Sequence, residues 1–240
     1  MSKQQLTINM KDISLNLIAI GVFAITLSAL VGPAFNLSPI VPAIATACLL
    51  GLATIDNFAW QGQGSQILID LFVSGERRDR IIHHEAGHFL VAYLLDIPIG
   101  DYALNAWDAF RQGQSAQGGV RFNDLELATQ LEGGTISSLL LDRYCTVWMA
   151  GIAAENICYG NAEGGAEDTT KISALFVQMK RSLSESQLKQ RWAFLQAKNL
   201  IETNKFAYEA LITAMKEKRS VDDCCQVIQQ CISGIDNEVA

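Results

Sequence analysis

Residues 81–90 read Ile81-Ile82-His83-His84-Glu85-Ala86-Gly87-His88-Phe89-Leu90 and hold all three histidines of the 240-residue chain. His84 and His88 stand four apart, so on a helix their imidazoles lie one turn apart on one face and can reach a single metal ion. Neutral imidazole suits zinc, and a zinc that keeps an open position lowers the pKa of its water to about 7. Glu85 follows the first histidine and projects near the same face, where a carboxylate can take the proton of that water. The pattern points to zinc-dependent peptide hydrolysis, with His84 and His88 as ligands and Glu85 as general base.

A zinc held this way needs a third protein ligand. His83 falls on the wrong face and no other histidine exists, so that ligand is an aspartate, a glutamate or a cysteine. The stretch Glu163-Gly164-Gly165-Ala166-Glu167-Asp168-Thr169-Thr170-Lys171 reads as a glycine-led loop opening into a helix. Asp168, at the start of that helix, is the first choice; its simpler role would be to cap the helix. Glu155, Glu163 and Glu167 are the alternatives. The residues after His88 lack the glycine and third histidine of the metzincin pattern, which excludes that route.

The elements that must position these residues are mostly helical. A charged entry turn, Glu76-Arg77-Arg78-Asp79-Arg80, leads into a run apolar on most sides, so the motif helix should be buried and end before Pro98 and Gly100. Gly87 costs about 1 kcal/mol in a helix relative to alanine, which close helix packing or room for the metal or substrate would explain. After Gly100 helical periodicity stops. Residues 102–106 and 119–122 read as two strands around a loop at 112–118, either an ordinary hairpin or an edge that holds an extended substrate. A long helix is expected over 135–159, capped by Thr135, with the small-residue half Met149-Ala150-Gly151-Ile152-Ala153-Ala154-Glu155 fit for a close crossing on Ala86-Gly87. Three more helices follow, at about 184–202, 205–218 and 221–232. Trp192, Phe194, Leu195, Leu200, Ile201, Phe206, Leu211 and Ile212 are expected in their core.

Half of the residues are hydrophobic and 18% are charged. No charged residue occurs between Asp12 and Asp56. Residues 13–32 and 39–55 therefore read as a two-helix membrane hairpin, in preference to a cleaved signal peptide. Lys3 and Lys11 before it, and Arg77, Arg78 and Arg80 after it, place both flanks on the cytoplasmic or stromal side by the positive-inside tendency. The expected plan is an anchor at 1–55, a juxtamembrane linker at 56–75 and a peptidase domain at 76–240. The chain beyond residue 55 carries a net charge of −8, which argues against a nucleic-acid partner. Six cysteines without a CxxC pair read as buried small apolar residues rather than disulfides or zinc ligands.

His84-Glu85-Ala86-Gly87-His88, the small-residue run 149–155 and Gly165-Ala166-Glu167-Asp168 together resemble the peptidase domain of FtsH-type membrane zinc proteases, over about residues 76–215. The resemblance implies zinc on His84, His88 and Asp168, Glu85 as general base, a mainly α, zincin-like peptidase domain with a small β-hairpin, and an N-terminal membrane anchor. Two departures stand out: Ile152 replaces the family's arginine, and the turn before Asp168 is one residue shorter. No G-x-x-x-x-G-K-[ST] phosphate loop occurs, so no ATP binding is expected. The chain thus looks like the AAA-less FtsH-like peptidases of cyanobacteria and chloroplasts. It would be an ATP-independent, membrane-anchored endopeptidase for flexible or unfolded protein segments, with a homo-oligomer or an association with FtsH-type proteases as its assembly. The alternative is a non-catalytic membrane partner or regulatory subunit of such a protease, with a structural or vestigial metal site.

Overall fold

The computed structural model describes residues 21–23, 25–28, 30, 32, 38, 40–59, 74–113 and 118–238. The chain divides into two compact units, Met1–Leu71 and Phe72–Ala240. In the first, the described part of 21–30 is helical and α1 spans Ile40–Ala59. Among the described residues no helix is long and apolar enough to cross a membrane. That finding overturns the expected two-helix hairpin and, with it, the placement of the chain as an integral membrane protein with a cytoplasmic or stromal peptidase domain. The reason lies in α1. Its uncharged part, 40–55, rises about 24 Å, short of a hydrocarbon core about 30 Å thick, and the helix runs on through Asp56 and Asn57. Much of the other expected span, 13–32, and most of the expected linker lie outside the described residues.

The second unit is helical apart from one hairpin. Its elements are α2 (Gly75–Leu94), β1 (Ile99–Ala103), α3 (Ala106–Arg111), β2 (Gly119–Phe122), α4 (Leu125–Glu132), α5 (Ser138–Tyr159), α6 (Ala166–Gln178), α7 (Leu183–Thr203), α8 (Lys205–Lys216) and α9 (Val221–Glu238). The mainly helical expectation holds for this unit. The strands pair antiparallel, with Tyr102 opposite Val120 and Ala103 opposite Gly119, and a bulge between Ile99 and Asp101. β1 thus begins three residues before the expected start. The short helices α3 and α4 were not expected, because each falls in a stretch too brief for periodicity to register.

The core forms where α2 and α5 cross. Phe89, Leu90, Val91 and Ala92 are buried on one side, and Tyr144, Val147, Ala150 and Ala154 on the other. The crossing is close because Gly87 has no side chain: a Cβ there would lie 2.6 Å from Ala154 Cβ and 2.7 Å from the Ala150 carbonyl oxygen. Packing therefore accounts for this glycine. α5 is capped by Ser137, two residues beyond Thr135, and stops at Gly160, whose φ of +75° closes the helix in the left-handed region. Against α5 and α2 lie α7 and α8, with Ile201, Leu211 and Ile212 buried as expected. Trp192, Leu195 and Phe206 are instead exposed, at 39, 62 and 66%. Their helices bury one stripe only, and these three fall outside it. No disulfide joins the six cysteines; Cys145 and Cys224 are buried as expected, whereas Cys48 and Cys158 are exposed.

Candidate metal centre

Ser74 caps α2 by accepting the Arg77 N–H at 3.3 Å, with Glu76 in the first turn. The next turns carry His84 and His88 into the interior, where they are 8 and 5% exposed. Their rings meet edge to face, with centroids 4.7 Å apart. Each ring is fixed through its far nitrogen by α5. His88 Nδ1 lies 2.7 Å from the Val147 carbonyl oxygen, which can only accept, so that nitrogen carries a proton and Nε2 is the ring atom turned to the site. His84 Nδ1 lies 2.7 Å from Glu155 Oε1 and donates to it in the same sense.

One face of α5 supplies all of this. Val147, Gly151 and Glu155 follow at four-residue spacing and offer in turn a carbonyl, a gap and a carboxylate. The gap is needed: a Cβ at Gly151 would lie 2.3 Å from His84 Nε2. Glu155 is 2% exposed and fully engaged. Besides His84 it accepts the amides of Glu163 at 2.8 Å and Gly164 at 3.1 Å, and Arg80 Nη1 at 3.4 Å. Burial pushes the Glu155 carboxyl up, but His84 and these amides outweigh it and keep it below the ordinary value. Those two amides tie the loop before α6 to the end of α5. Gly165 then starts α6 with φ +84°, and a Cβ there would lie 2.1 Å from Ile152 Cγ1. Ile152 is thus the surface on which this tight turn sits.

Asp168 enters from the first turn of α6, 6% exposed. Gly165, not Asp168, occupies the cap position, so the capping role does not explain the aspartate. Its Oδ2 lies 3.3 Å from His84 Nε2 and 3.4 Å from His88 Nε2, and the two Nε2 atoms are 3.0 Å apart. Its Oδ1 accepts from Lys171 Nζ at 3.3 Å. Burial alone would raise the Asp168 carboxyl, but the two imidazoles and Lys171 hold it well below the usual carboxylate range. Burial likewise opposes a charge on His84; Asp168, Glu155 and Glu85 outweigh it and push the imidazole up to about 10.

His84 Nε2, His88 Nε2 and Asp168 Oδ2 thus face one another across a nearly equilateral triangle, and the three residues form a group able to hold a metal ion. A tetrahedral zinc about 2.0–2.1 Å from each donor requires donor separations of about 3.3 Å, and the triangle provides them. The residues fit the ion. Of the alternatives, Glu163 and Glu167 are exposed, and Glu155 lies on the far nitrogen of His84. Sequence reasoning weighed Glu155 only as a ligand and missed its hold on the imidazole, although the 147, 151, 155 spacing is legible. His83 faces away, with Nδ1 3.2 Å from Tyr208 Oη and 3.3 Å from Cys158 Sγ. Glu85, next to His84 on α2, accepts the Val120 N–H at 2.9 Å, and its charge acts on His84.

No protein-family model matches the chain. Over 103 residues the chain is 34% identical to the ATP-dependent zinc metalloprotease FtsH 1 of Methylacidiphilum infernorum (isolate V4). This is a weak, partial relationship to FtsH. The match takes in 42% of this chain and spans 15% of that protein's length. The relationship and the His84, His88 and Asp168 group are both compatible with a metalloprotease.

Proposed function

We propose that the chain is a zinc metalloendopeptidase acting on flexible or unfolded protein segments, without ATP. The observation that carries this reading is the triangle of three donor atoms on His84, His88 and Asp168, sized for zinc. Structural zinc sites are closed by four protein ligands, whereas three leave a position for water and substrate; three donors converge here among the described residues. When bound, zinc supplies a Lewis acid that polarises the scissile carbonyl and acidifies a water molecule. His84, His88 and Asp168 would hold it. Glu155 and the Val147 carbonyl keep both imidazoles in the tautomer that presents Nε2. Glu85 accepts the proton of the attacking water and returns it to the leaving amine.

The substrates that this reading names are segments that need no unfolding before cleavage. The test is metal analysis of the purified chain together with cleavage of an unfolded protein by wild type, Glu85→Gln and Asp168→Asn. The expected result is about one zinc per chain, cleavage lost in Glu85→Gln with zinc retained, and zinc lost in Asp168→Asn. Cleavage by Glu85→Gln at the wild-type rate would refute the assigned base. Unchanged zinc in Asp168→Asn would refute the ligand set.

A further inference from the structure

The outer edge of β2 touches the site in a way the three metal donors do not require. Val120 stands opposite Tyr102, and along an antiparallel pair successive residues turn their N–H and C=O alternately toward the partner strand and away from it. Val120 turns away, and its N–H donates to Glu85 Oε2 at 2.9 Å. Gly119 sets that approach through its backbone conformation rather than through clearance. Its φ is +114°, and a Cβ there would lie 3.4 Å from Glu85 Oε2 and 3.7 Å from Oε1. Gly118, with φ +71°, presses the chain against β1, where a Cβ would lie 2.8 Å from the Ala103 carbonyl oxygen. Two consecutive glycines thus deliver one backbone amide to one carboxylate oxygen.

We propose that Gly119 and Val120 are positioning residues for Glu85, a role that rests on reading Glu85 as the general base. Glu85 is only half-buried, and a free glutamate there would sample several rotamers. The strand amide occupies one oxygen and leaves the other for the proton of water. The orientation needed in the reaction is therefore set when the hairpin folds, before substrate arrives. The HExxH spacing supplies the carboxylate; the hairpin supplies its direction.

The first test needs neither metal nor activity: amide hydrogen exchange at Val120 in the metal-free full chain, for wild type and Glu85→Ala. Exchange at Val120 should be at least tenfold faster in Glu85→Ala, with Arg121, which faces β1, unchanged. Equal exchange at Val120 in both proteins overturns the proposal. The second test compares Val120→Pro, which removes the amide, with Val120→Ala, which keeps it, in the zinc-loaded chain. Proline is tolerated here because the amide points away from the partner strand. The expected kcat is at least tenfold lower in Val120→Pro than in Val120→Ala, with KM and zinc content within twofold; equal kcat values overturn the proposal. Should Val120→Pro not fold, Gly119→Ala, which strains the positive φ that aims the amide, should lower kcat with the same unchanged KM and zinc. Its kcat at the wild-type level is the contrary result. A chain that neither binds zinc nor cleaves peptides sinks the peptidase reading while the exchange result stands. An unprotected Val120 amide in an active zinc enzyme sinks the positioning role alone.

Discussion

Gly151→Ala should disable the metal site while leaving the rest of the second unit folded. The new Cβ would stand 2.3 Å from His84 Nε2 and 2.5 Å from its Cδ2 and Cε1. Ordinary van der Waals contact begins near 3.4 Å, so the ring must retreat by about 1 Å or the backbone of α5 must move. Moving α5 is the harder course, because Val147, Ala150 and Ala154 are fully buried against α2. The imidazole gives way instead. Zinc donors must sit within about 0.2 Å of their places, so a shift of about 1 Å removes His84 as an effective ligand. Zinc affinity should fall by at least 100-fold, beyond the 10–100-fold typical of changes to residues that merely orient a ligand. Competition with a chelating dye gives the affinity, and thermal melting of the metal-free chain reports whether the fold survives. Gly75→Ala is the control: nothing lies within 4 Å of its Cβ, and zinc affinity should not move. A Gly151→Ala protein that binds zinc within twofold of wild type would refute the clearance argument and the placement of His84 with it.

Gly87→Ala should act in the opposite way, prising α2 from α5 and lowering stability by about 1–3 kcal/mol; a denaturant midpoint equal to wild type would contradict the close crossing. Glu155→Gln keeps one acceptor but places an N–H₂ where the Glu163 and Gly164 amides and His84 need oxygens. It should weaken zinc binding about 10–100-fold, and the same dye titration checks it. The metal-free chain should also show a pH signature. His84 titrates above its ordinary 6.5, at about 10, so its proton stabilises the fold fully below 6.5 and that contribution is lost as pH rises through about 10. The melting temperature of the metal-free wild type, measured against His84→Asn, should therefore decline between pH 7 and 10, and zinc should abolish the difference. A flat difference across that range would mean that His84 holds no such proton.

The donor types and their spacing were legible because they are local. Four residues on a helix subtend one face whatever surrounds them, so His84, Glu85 and His88 declared themselves, and His83 was excluded by the same geometry. Helices α2, α5, α7, α8 and α9 were legible because apolar periodicity sustained over three or more turns outweighs single residues. The hairpin was legible from its loss of helical period, although β1 lay three residues earlier than expected. Local reasoning failed where the outcome depended on length or on partners. A run without charges suggested two membrane spans, yet the uncharged part of α1 is shorter than a bilayer core and its helix takes in Asp56. Trp192, Leu195 and Phe206 were hydrophobic enough for the core but fell on faces that nothing buries.

Residue order alone determined that two imidazoles and a carboxylate would share one turn of a buried helix, because backbone geometry sets side-chain direction over four residues. It could not decide between Asp168, Glu155, Glu163 and Glu167, since each is brought near or kept away by the path of a loop some eighty residues along the chain. Tertiary packing sets which of them comes near. The Glu163 and Gly164 amides bind Glu155, Ile152 seats the turn at Gly165, and Asp168 is the carboxylate that reaches both Nε2 atoms, while a strand amide from the hairpin donates to Glu85.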